Sequence, residues 1–184
     1  MNKNYFARPF LFLFLGLSLS IAQSSPQPKD NLILWGDGWR FSVKEPIKWH
    51  GNTEKSKDFH ANIIFYQIST GLDTASPLIR IRVNSKVDDN TQEDLNYDIE
   101  GYKKEMPNVQ FKDIKISHKN YRCFPKLFYV PNKFYEYVVY LNPGKNIPWT
   151  LSISMNKQNA EASGAELSAY KEIIASIYWL ANNK

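Results

Sequence analysis

Few side chains in this 184-residue sequence have the types and spacing that chemistry requires. The best local group is Asp58 with His60, because residues two apart on a strand share one face. His50 could approach them from the preceding loop. Imidazole nitrogens and carboxylate oxygens are ligands that zinc takes in proteins, so these three residues are the candidate metal site. They are also the only polar centre that the sequence offers to a hydrolase. Ordinary polar residues near the start of a strand give the same pattern and are the favoured interpretation.

Tryptophans form a second group of candidates. Trp35, Trp39 and Trp49 lie within fifteen residues, around the turn-forming segment 36–38. Exposed aromatic rings flanked by Asp and Arg can stack on sugars, so Trp35, Asp37, Trp39 and Trp49 are a candidate site for a small ligand or a glycan. Aromatic side chains also bury large areas in small sheets, and core packing is favoured unless Trp35 or Trp49 is exposed beside a groove.

Signatures of common enzymes are missing from the sequence. It contains no G-x-S-x-G, H-E-x-x-H, P-loop or C-x-x-C motif. Cys123 is the single cysteine, which excludes an intrachain disulfide. A nucleophilic thiol needs a base and an electropositive pocket, so a small buried or half-buried apolar residue is the favoured interpretation of Cys123. The sequence therefore predicts no catalysis and no cofactor.

The first residues have the pattern of an export signal. Lys3 and Arg8 precede the apolar run Phe10–Ile21, which is too short to span a membrane. Small residues at positions 20 and 22 predict cleavage after Ala22. The expected organisation is a signal peptide at 1–22, a disordered leader at 23–31 and a single domain at 32–184. The mature protein would be periplasmic or secreted, without an integral membrane segment.

Charge excludes one class of partner. The net charge of +5 falls to +3 once Lys3 and Arg8 are removed, and the remaining lysines are scattered. Nucleic-acid binding requires a clustered basic face, so it is not expected. A weak attraction to an anionic envelope surface is compatible with this charge.

The periodicity of the chain indicates an α+β fold. Residues 134–141 are apolar or aromatic on both alternating sets, and Trp149–Met155 is apolar on one, which predicts an antiparallel hairpin at the centre of a sheet. Helical spacing of apolar residues predicts helices over 91–106 and 164–180, each with a candidate capping box, Thr91 with Asp94 and Ser163 with Glu166. Further strands are expected at these ranges: 39–43, 59–68, 78–84, 109–117 and 121–130, the last broken by Pro125.

This order of elements resembles the PsbP-like fold. The resemblance covers roughly 32–181 and rests on loose apolar patterns: an early strand running into Pro46 and Trp49, a middle helix, an aromatic-rich strand pair, and a last helix containing Ile173, Ile174 and Ile177. The fold is an α/β/α sandwich shared by extrinsic photosystem II proteins, a Ran-binding nuclear import factor and many exported bacterial proteins. The resemblance implies a non-catalytic binding or accessory module, since fold alone does not carry function.

Three functions follow as hypotheses. The leading one is an exported, non-catalytic soluble protein that binds a partner protein or an envelope component such as the cell wall. The second is a small-ligand or glycan binder that uses the Trp35–Trp49 region. The third is an envelope hydrolase with a centre at His50, Asp58 and His60.

Overall fold

The computed structural model of this protein describes residues 31–180. The predicted signal peptide (1–22) and the predicted leader, apart from Asn31, lie outside the described residues, as does the segment 181–184. Within the described residues the strands are β1 (Leu32–Gly36), β2 (Trp39–Val43), β3 (Trp49–Asn52), β4 (Ile63–Gln67), β5 (Leu78–Ser85), β6 (Gln110–Asp113), β7 (Arg122–Val130), β8 (Phe134–Asn142), β9 (Trp149–Gln158) and β10 (Tyr178–Trp179). The helices are α1 (Thr91–Glu105) and α2 (Gly164–Ser176).

Residues 31–180 form two antiparallel sheets. Seven strands make the large sheet, in the order β3-β4-β5-β9-β8-β7-β6, and the small sheet has the order β1-β2-β10. Strands β8 and β9 pair antiparallel from Phe134 opposite Gln158 to Leu141 opposite Leu151. The predicted hairpin at the centre of the sheet is thus confirmed.

The two helices lie on opposite faces of the large sheet. Tyr170 of α2 donates its hydroxyl to the carbonyls of Tyr137 on β8 and Ile153 on β9. On the other face, Tyr102 of α1 stacks on Phe128 of β7, with ring centroids 4.7 Å apart. The predicted α/β/α sandwich is confirmed.

One apolar core joins both sheets to α2. Leu34 and Phe41 of the small sheet are buried in the same cluster as Ile81 and Ile153 of the large sheet and Ile174 of α2. A second, smaller cluster lies under α1. Its buried members are Leu95, Val109, Phe124, Phe128, Val138 and Tyr140.

The last helix is shorter than predicted. Helix α2 ends at Ser176, and Tyr178–Trp179 is a strand that pairs with Ser42 and Phe41 of β2. The helical prediction through 180 was wrong because Tyr178 and Trp179 pair with the edge of β2. Helical periodicity does not reveal such a contact with a distant strand. The Ser163–Glu166 capping box is confirmed.

Three other local predictions need correction. Residues 55–59 form a short 3₁₀ helix, so the strand predicted from residue 59 begins only at Ile63. Strand β7 runs without a break through Pro125, which lies just beyond the residues of β7 that pair with β6. Helix α1 is capped by Asn90, whose side chain accepts a hydrogen bond from the Gln92 N–H, and not by a Thr91–Asp94 box.

Candidate functional site

Ionisable side chains concentrate where α1 meets the large sheet. The helical spacing of the apolar residues in 91–106 predicts that Asp94 and Asp98 lie on the exposed side of α1, but Asp94 is buried and Asp98 is half-buried against the sheet. We call this hydrogen-bonded contact the polar seam. Its members are Arg80, Arg82, Asp94, Asp98, Tyr102, Glu136, Tyr140 and Thr150.

An ion pair across the sheet lies at the centre of the polar seam. Arg80 of β5 donates from Nη2 to Glu136 Oε1 of β8 at 2.9 Å and to Asn156 Oδ1 at 2.6 Å. Its Nε donates to Ser154 Oγ at 3.2 Å. Glu136 is only 3 % exposed. A carboxylate this deep in the protein is stable only if it is paired and fully hydrogen-bonded, which is what Arg80 provides.

Two phenol–carboxylate hydrogen bonds tie α1 to β8 in opposite directions. Tyr102 of the helix donates to Glu136 of the strand, and Tyr140 of the strand donates to Asp98 of the helix. The match is geometric: residues four apart share one face of a helix and also one face of a strand. The pair of contacts therefore fixes both the position and the direction of α1.

The N-terminal end of α1 is fixed by a third carboxylate. Asp94 accepts from the Thr150 hydroxyl at 2.5 Å and from the backbone N–H of Val87 at 2.8 Å. Thr91 and Thr150 share a further hydroxyl hydrogen bond at 2.9 Å, and both are fully buried. Helix α1 therefore contacts β9 through polar atoms and packs its apolar side chains on β7 and β8.

Three ionisable groups of the polar seam, Asp98, Tyr102 and Arg82, have shifted pKa values. Burial and the neighbouring Glu136 raise the pKa of Asp98 to about 6, against a weaker lowering by Arg82. Burial and Glu136 also raise the pKa of Tyr102 above its ordinary value, which keeps its phenol a donor. Burial, followed by Arg80, lowers the pKa of Arg82. The buried Nε of Arg82 has no hydrogen-bond partner among residues 31–180.

An open cavity of about 710 Å³ lies beside the polar seam, with Arg82, Asp98 and Tyr102 in its wall. A carboxyl group that titrates near pH 6 suits general acid–base chemistry. The described lining residues include no Ser, Thr, Cys or His, and the other carboxylates of the lining are those of Glu93, Glu100 and Glu105. The carboxylates of the polar seam accept hydrogen bonds from Arg80, Tyr102, Tyr140 and Thr150, and these bonds hold α1 in place.

A second exposed feature lies on the outer face of the small sheet. Ile33 and Tyr178 both stand opposite Ser42 in the strand register, and Trp35 stands opposite Arg40. Residues opposite each other, or two apart on one strand, share a face. Ile33, Trp35 and Tyr178 are 53 %, 73 % and 54 % exposed. We call these three side chains, with Arg40 and Ser42 between them, the outer patch.

The predicted tryptophan site is only partly assembled. Trp49 is buried in the core, and the half-buried ring of Trp39 packs so closely on Gly36 that a Cβ there would clash with it. Trp35 and Asp37 are exposed, and a shallow cavity of about 290 Å³ beside Trp35 also contacts Trp39. Two of the three tryptophans therefore serve packing, and Trp35 is the one that presents its ring to solvent.

The predicted metal site is not assembled. His50 on β3 pairs with Glu45 at 3.4 Å and meets the ring of Tyr66 edge-on. Asp58 lies in the 3₁₀ helix, and His60 follows in a left-handed conformation (φ 49°), so the expectation that the two share a strand face was wrong. Within residues 31–180, no three His, Cys, Asp or Glu side chains come together as a metal ion requires.

Cys123 is half-buried on β7. Burial raises the pKa of its thiol to about 11, so the reactive thiolate is rare at neutral pH. Its sulfur lies 3.8 Å from the carbonyl oxygen of Tyr121.

Glu136 is the residue that the sequence interpretation missed. It is the one charged residue in a run that is otherwise apolar or aromatic, Phe134–Leu141. A lone acid in a strand that is buried on both faces needs a cation, and Arg80 or Arg82 in the predicted strand 78–84 could supply it. The sequence thus contained the signal. It did not reveal the order of strands in the sheet, which brings β5 within reach of β8.

Architecture and site together define a two-helix sandwich with a polar helix–sheet contact and an exposed aromatic patch. In fold, the chain is similar to the solution structure of cyanobacterial PsbP (CyanoP) from Synechocystis sp. PCC 6803, with a TM-score of 0.51. That likeness covers 86 % of this chain and 96 % of the other at 11 % sequence identity, and it shows a PsbP-like fold. No protein-family model and no curated protein matches the sequence. No helix among residues 31–180 is long and apolar enough to cross a membrane.

Proposed function

We propose that this protein is an exported, non-catalytic binding protein that docks a partner protein of the cell envelope through the outer patch. The observation that carries the proposal is the exposure of Ile33, Trp35 and Tyr178 on one sheet face. Contiguous exposed apolar side chains mark interaction sites, and tryptophan, tyrosine and arginine dominate the binding energy of protein interfaces.

The strand β1 adds backbone groups to this surface. It is the edge strand of the small sheet, so one of its two sides is not paired with another strand of the described chain. A partner segment can add to such an edge as a further strand, with alternate side chains packing on the face. Trp35 would then lie at the centre of the contact.

The absence of catalysis is supported by the polar seam. Its carboxylates, phenols and Arg80 are engaged with one another. The thiol of Cys123 is kept protonated by burial. Groups that are already bonded to one another or held protonated favour a structural role, which supports a binding function for the protein.

A photo-crosslinking experiment tests the docking surface. The full chain, carrying benzoylphenylalanine at position 35, is expressed in its own host and irradiated. Tyr97 is the matched control. It is 72 % exposed and lies on α1, the helix that packs on the face of the large sheet opposite α2. We expect a discrete crosslinked product from position 35 that excess unlabelled protein competes away, and none from position 97.

A substitution separates a specific contact from chance proximity. With benzoylphenylalanine at position 178 of the same patch, Trp35→Ala should lower the yield of crosslinked partner about tenfold or more, as for an interface hot spot, whereas Tyr97→Ala should leave the yield unchanged. Equal crosslinking from positions 35 and 97, or recovery that does not saturate, contradicts the proposal. Export is tested independently: the mature protein should begin at Gln23 and be found outside the cytoplasm.

A further inference from the structure

A second set of aromatic side chains forms a cleft that the outer patch does not include. The cleft has a volume of about 500 Å³, and Tyr121, Trp149 and Trp179 supply its rings, with Pro143, Pro148 and Asn146 beside them. We propose that this aromatic cleft binds an uncharged oligosaccharide by stacking pyranose rings on the exposed aromatic faces. The proposal goes beyond partner docking and concerns different residues.

The aromatic rings are held in place before any ligand arrives. The indole Nε1 of Trp149 donates to the carbonyl of Gly38 at 3.0 Å, which ties the ring to the turn between β1 and β2. The ring of Tyr121 stacks on His118 with centroids 4.6 Å apart, and its hydroxyl accepts from the backbone N–H of Trp179 at 2.9 Å. Rings that do not have to be ordered on binding lose less entropy to the ligand.

His118 reinforces the position of Tyr121. Its Nε2 donates to the carbonyl of Ile177 at 3.0 Å, and its Nδ1 accepts from the Asn120 N–H at 3.1 Å. Both contacts are satisfied at once by the neutral imidazole. The end of α2 and the loop before β7 are thereby joined.

The lining of the cleft selects for a neutral ligand. The residues of the described chain that line it carry no acidic or basic side chain: they are three aromatic residues, two prolines, one amide, one isoleucine and one glycine. The three aromatic side chains are half-buried, so each leaves part of its surface open to solvent. The volume lies within the range of small-molecule sites. A pyranose combines an apolar ring face with hydroxyl groups at its edge. The ring face can stack on the aromatic side chains of the cleft, and the hydroxyl groups can form hydrogen bonds with Asn146 and Tyr121.

A proline-rich peptide is the competing ligand, because such peptides also dock in aromatic grooves. Its carbonyl oxygens would need hydrogen-bond donors. Few donors are left for them: the indole N–H of Trp149 already bonds to Gly38, Pro143 and Pro148 have no N–H, and the side chains of Asn146, Tyr121 and Trp179 remain. Sugar hydroxyls both donate and accept, so they can use carbonyl oxygens at the rim as well. The lining therefore favours a sugar.

The test uses the mature protein and four probes: tetra-N-acetylchitotetraose, cellotetraose, maltotetraose and decaproline. Binding is measured by calorimetry and by the five indole N–H signals in an NMR spectrum of the unmodified protein. We expect at least one of the sugars to bind saturably, to shift the Trp149 and Trp179 signals, and to leave the Trp35 signal in place.

Substitutions then locate the site. Trp149→Ala should weaken sugar binding about tenfold or more, Trp149→Phe should restore most of it by keeping an aromatic face, and Trp35→Ala should change nothing. The proposal is overturned if no sugar binds, if decaproline alone binds, or if the shifts fall on Trp35. Because Trp35→Ala is the variant that should lose the envelope partner, failure of the docking surface and failure of the cleft give different results.

Discussion

The two helices cover opposite faces of one sheet, and they are attached to it by different chemistry. Helix α2 buries Tyr170, Ile173 and Ile174 completely against the apolar side. Helix α1 buries Leu95, but it also contacts the sheet through Asp94 and Asp98. Successive residues of β8 encode this difference in chemistry, since Glu136 faces α1 and Tyr137 faces α2.

The comparison shows what each type of contact contributes. Apolar burial stabilises without direction and does not depend on protonation. The polar seam gains little net free energy, because each charged group loses its hydration when it enters the contact. It does, however, favour one position of the helix, in which the hydroxyls of Tyr102 and Tyr140 both meet carboxylates. We therefore expect α1 to be more specifically placed and more sensitive to charge than α2.

The largest expected effect is the loss of one partner of the buried ion pair. Arg80→Met removes the cation from Glu136 and leaves a buried carboxylate with Tyr102 as its remaining donor. We expect the free energy of unfolding to fall by roughly 3–5 kcal/mol. Urea denaturation followed by tryptophan fluorescence measures the change.

A double variant checks the cause of that loss. Arg80→Met combined with Glu136→Gln removes the charge that was left uncompensated, so it should recover most of the lost stability. Lys103→Ala is the surface control, since its ion pair with Glu100 is exposed and should contribute less than about 1 kcal/mol. If the double variant is as unstable as the single one, Arg80 acts through packing and the comparison fails.

The next effect belongs to the apolar side. Ile174 is fully buried in the core beneath α2, so Ile174→Ala removes apolar atoms and leaves a cavity. We expect a loss of about 3 kcal/mol in the free energy of unfolding. The loss should be the same at pH 5 and pH 8, because no ionisable group is touched. A loss that varies with pH would show that the two faces are not chemically separate.

Much of the fold could be predicted from the sequence because its signals are local. The two-sided apolar run at 134–141, the helical spacing in 91–106 and the Ser163–Glu166 cap each depend on residues close together in the chain. The errors fall where a distant element decides the outcome. Tyr178 and Trp179 continue the pattern of a helix, but the edge of β2, more than 130 residues earlier, pairs with them as a strand.

The sites were harder to predict for the same reason. Asp98 looks like any solvated helix residue, and only the position of Tyr140 across the interface turns it into a buried acceptor. The tryptophans showed the opposite problem, since their close spacing suggested one site. The alternation of strands then separates them, with Trp35 facing solvent and Trp49 facing the core. Spacing along the chain predicts neighbours on one element, but not which side of it is covered.

The smallest expected effect is the pH dependence of the free energy of unfolding, which has opposite signs for the contacts of α1 and of α2. Because the pKa of Asp98 is raised to about 6, the folded protein binds more protons than the unfolded chain between about pH 4 and pH 6. Ionisation of Asp98 therefore lowers the free energy of unfolding as pH rises, by about 1 kcal/mol given its partial access to solvent. The groups that face it are Glu136, Asp94, Arg82, Tyr102 and Tyr140.

Glu166 of α2 behaves in the reverse manner. Burial alone would raise its pKa, but hydrogen bonds from Lys157 and Ser163 lower the pKa below its ordinary value. Its contribution is present at neutral pH and lost as pH falls through the acidic range. Asp98→Asn should thus remove the decline above pH 4, with the amide oxygen still accepting from Tyr140, whereas Glu166→Gln should weaken the protein most at neutral pH. Chemical denaturation from pH 3 to pH 8 measures both, and equal slopes in the two variants would show that α1 and α2 do not differ in the way their contacts indicate.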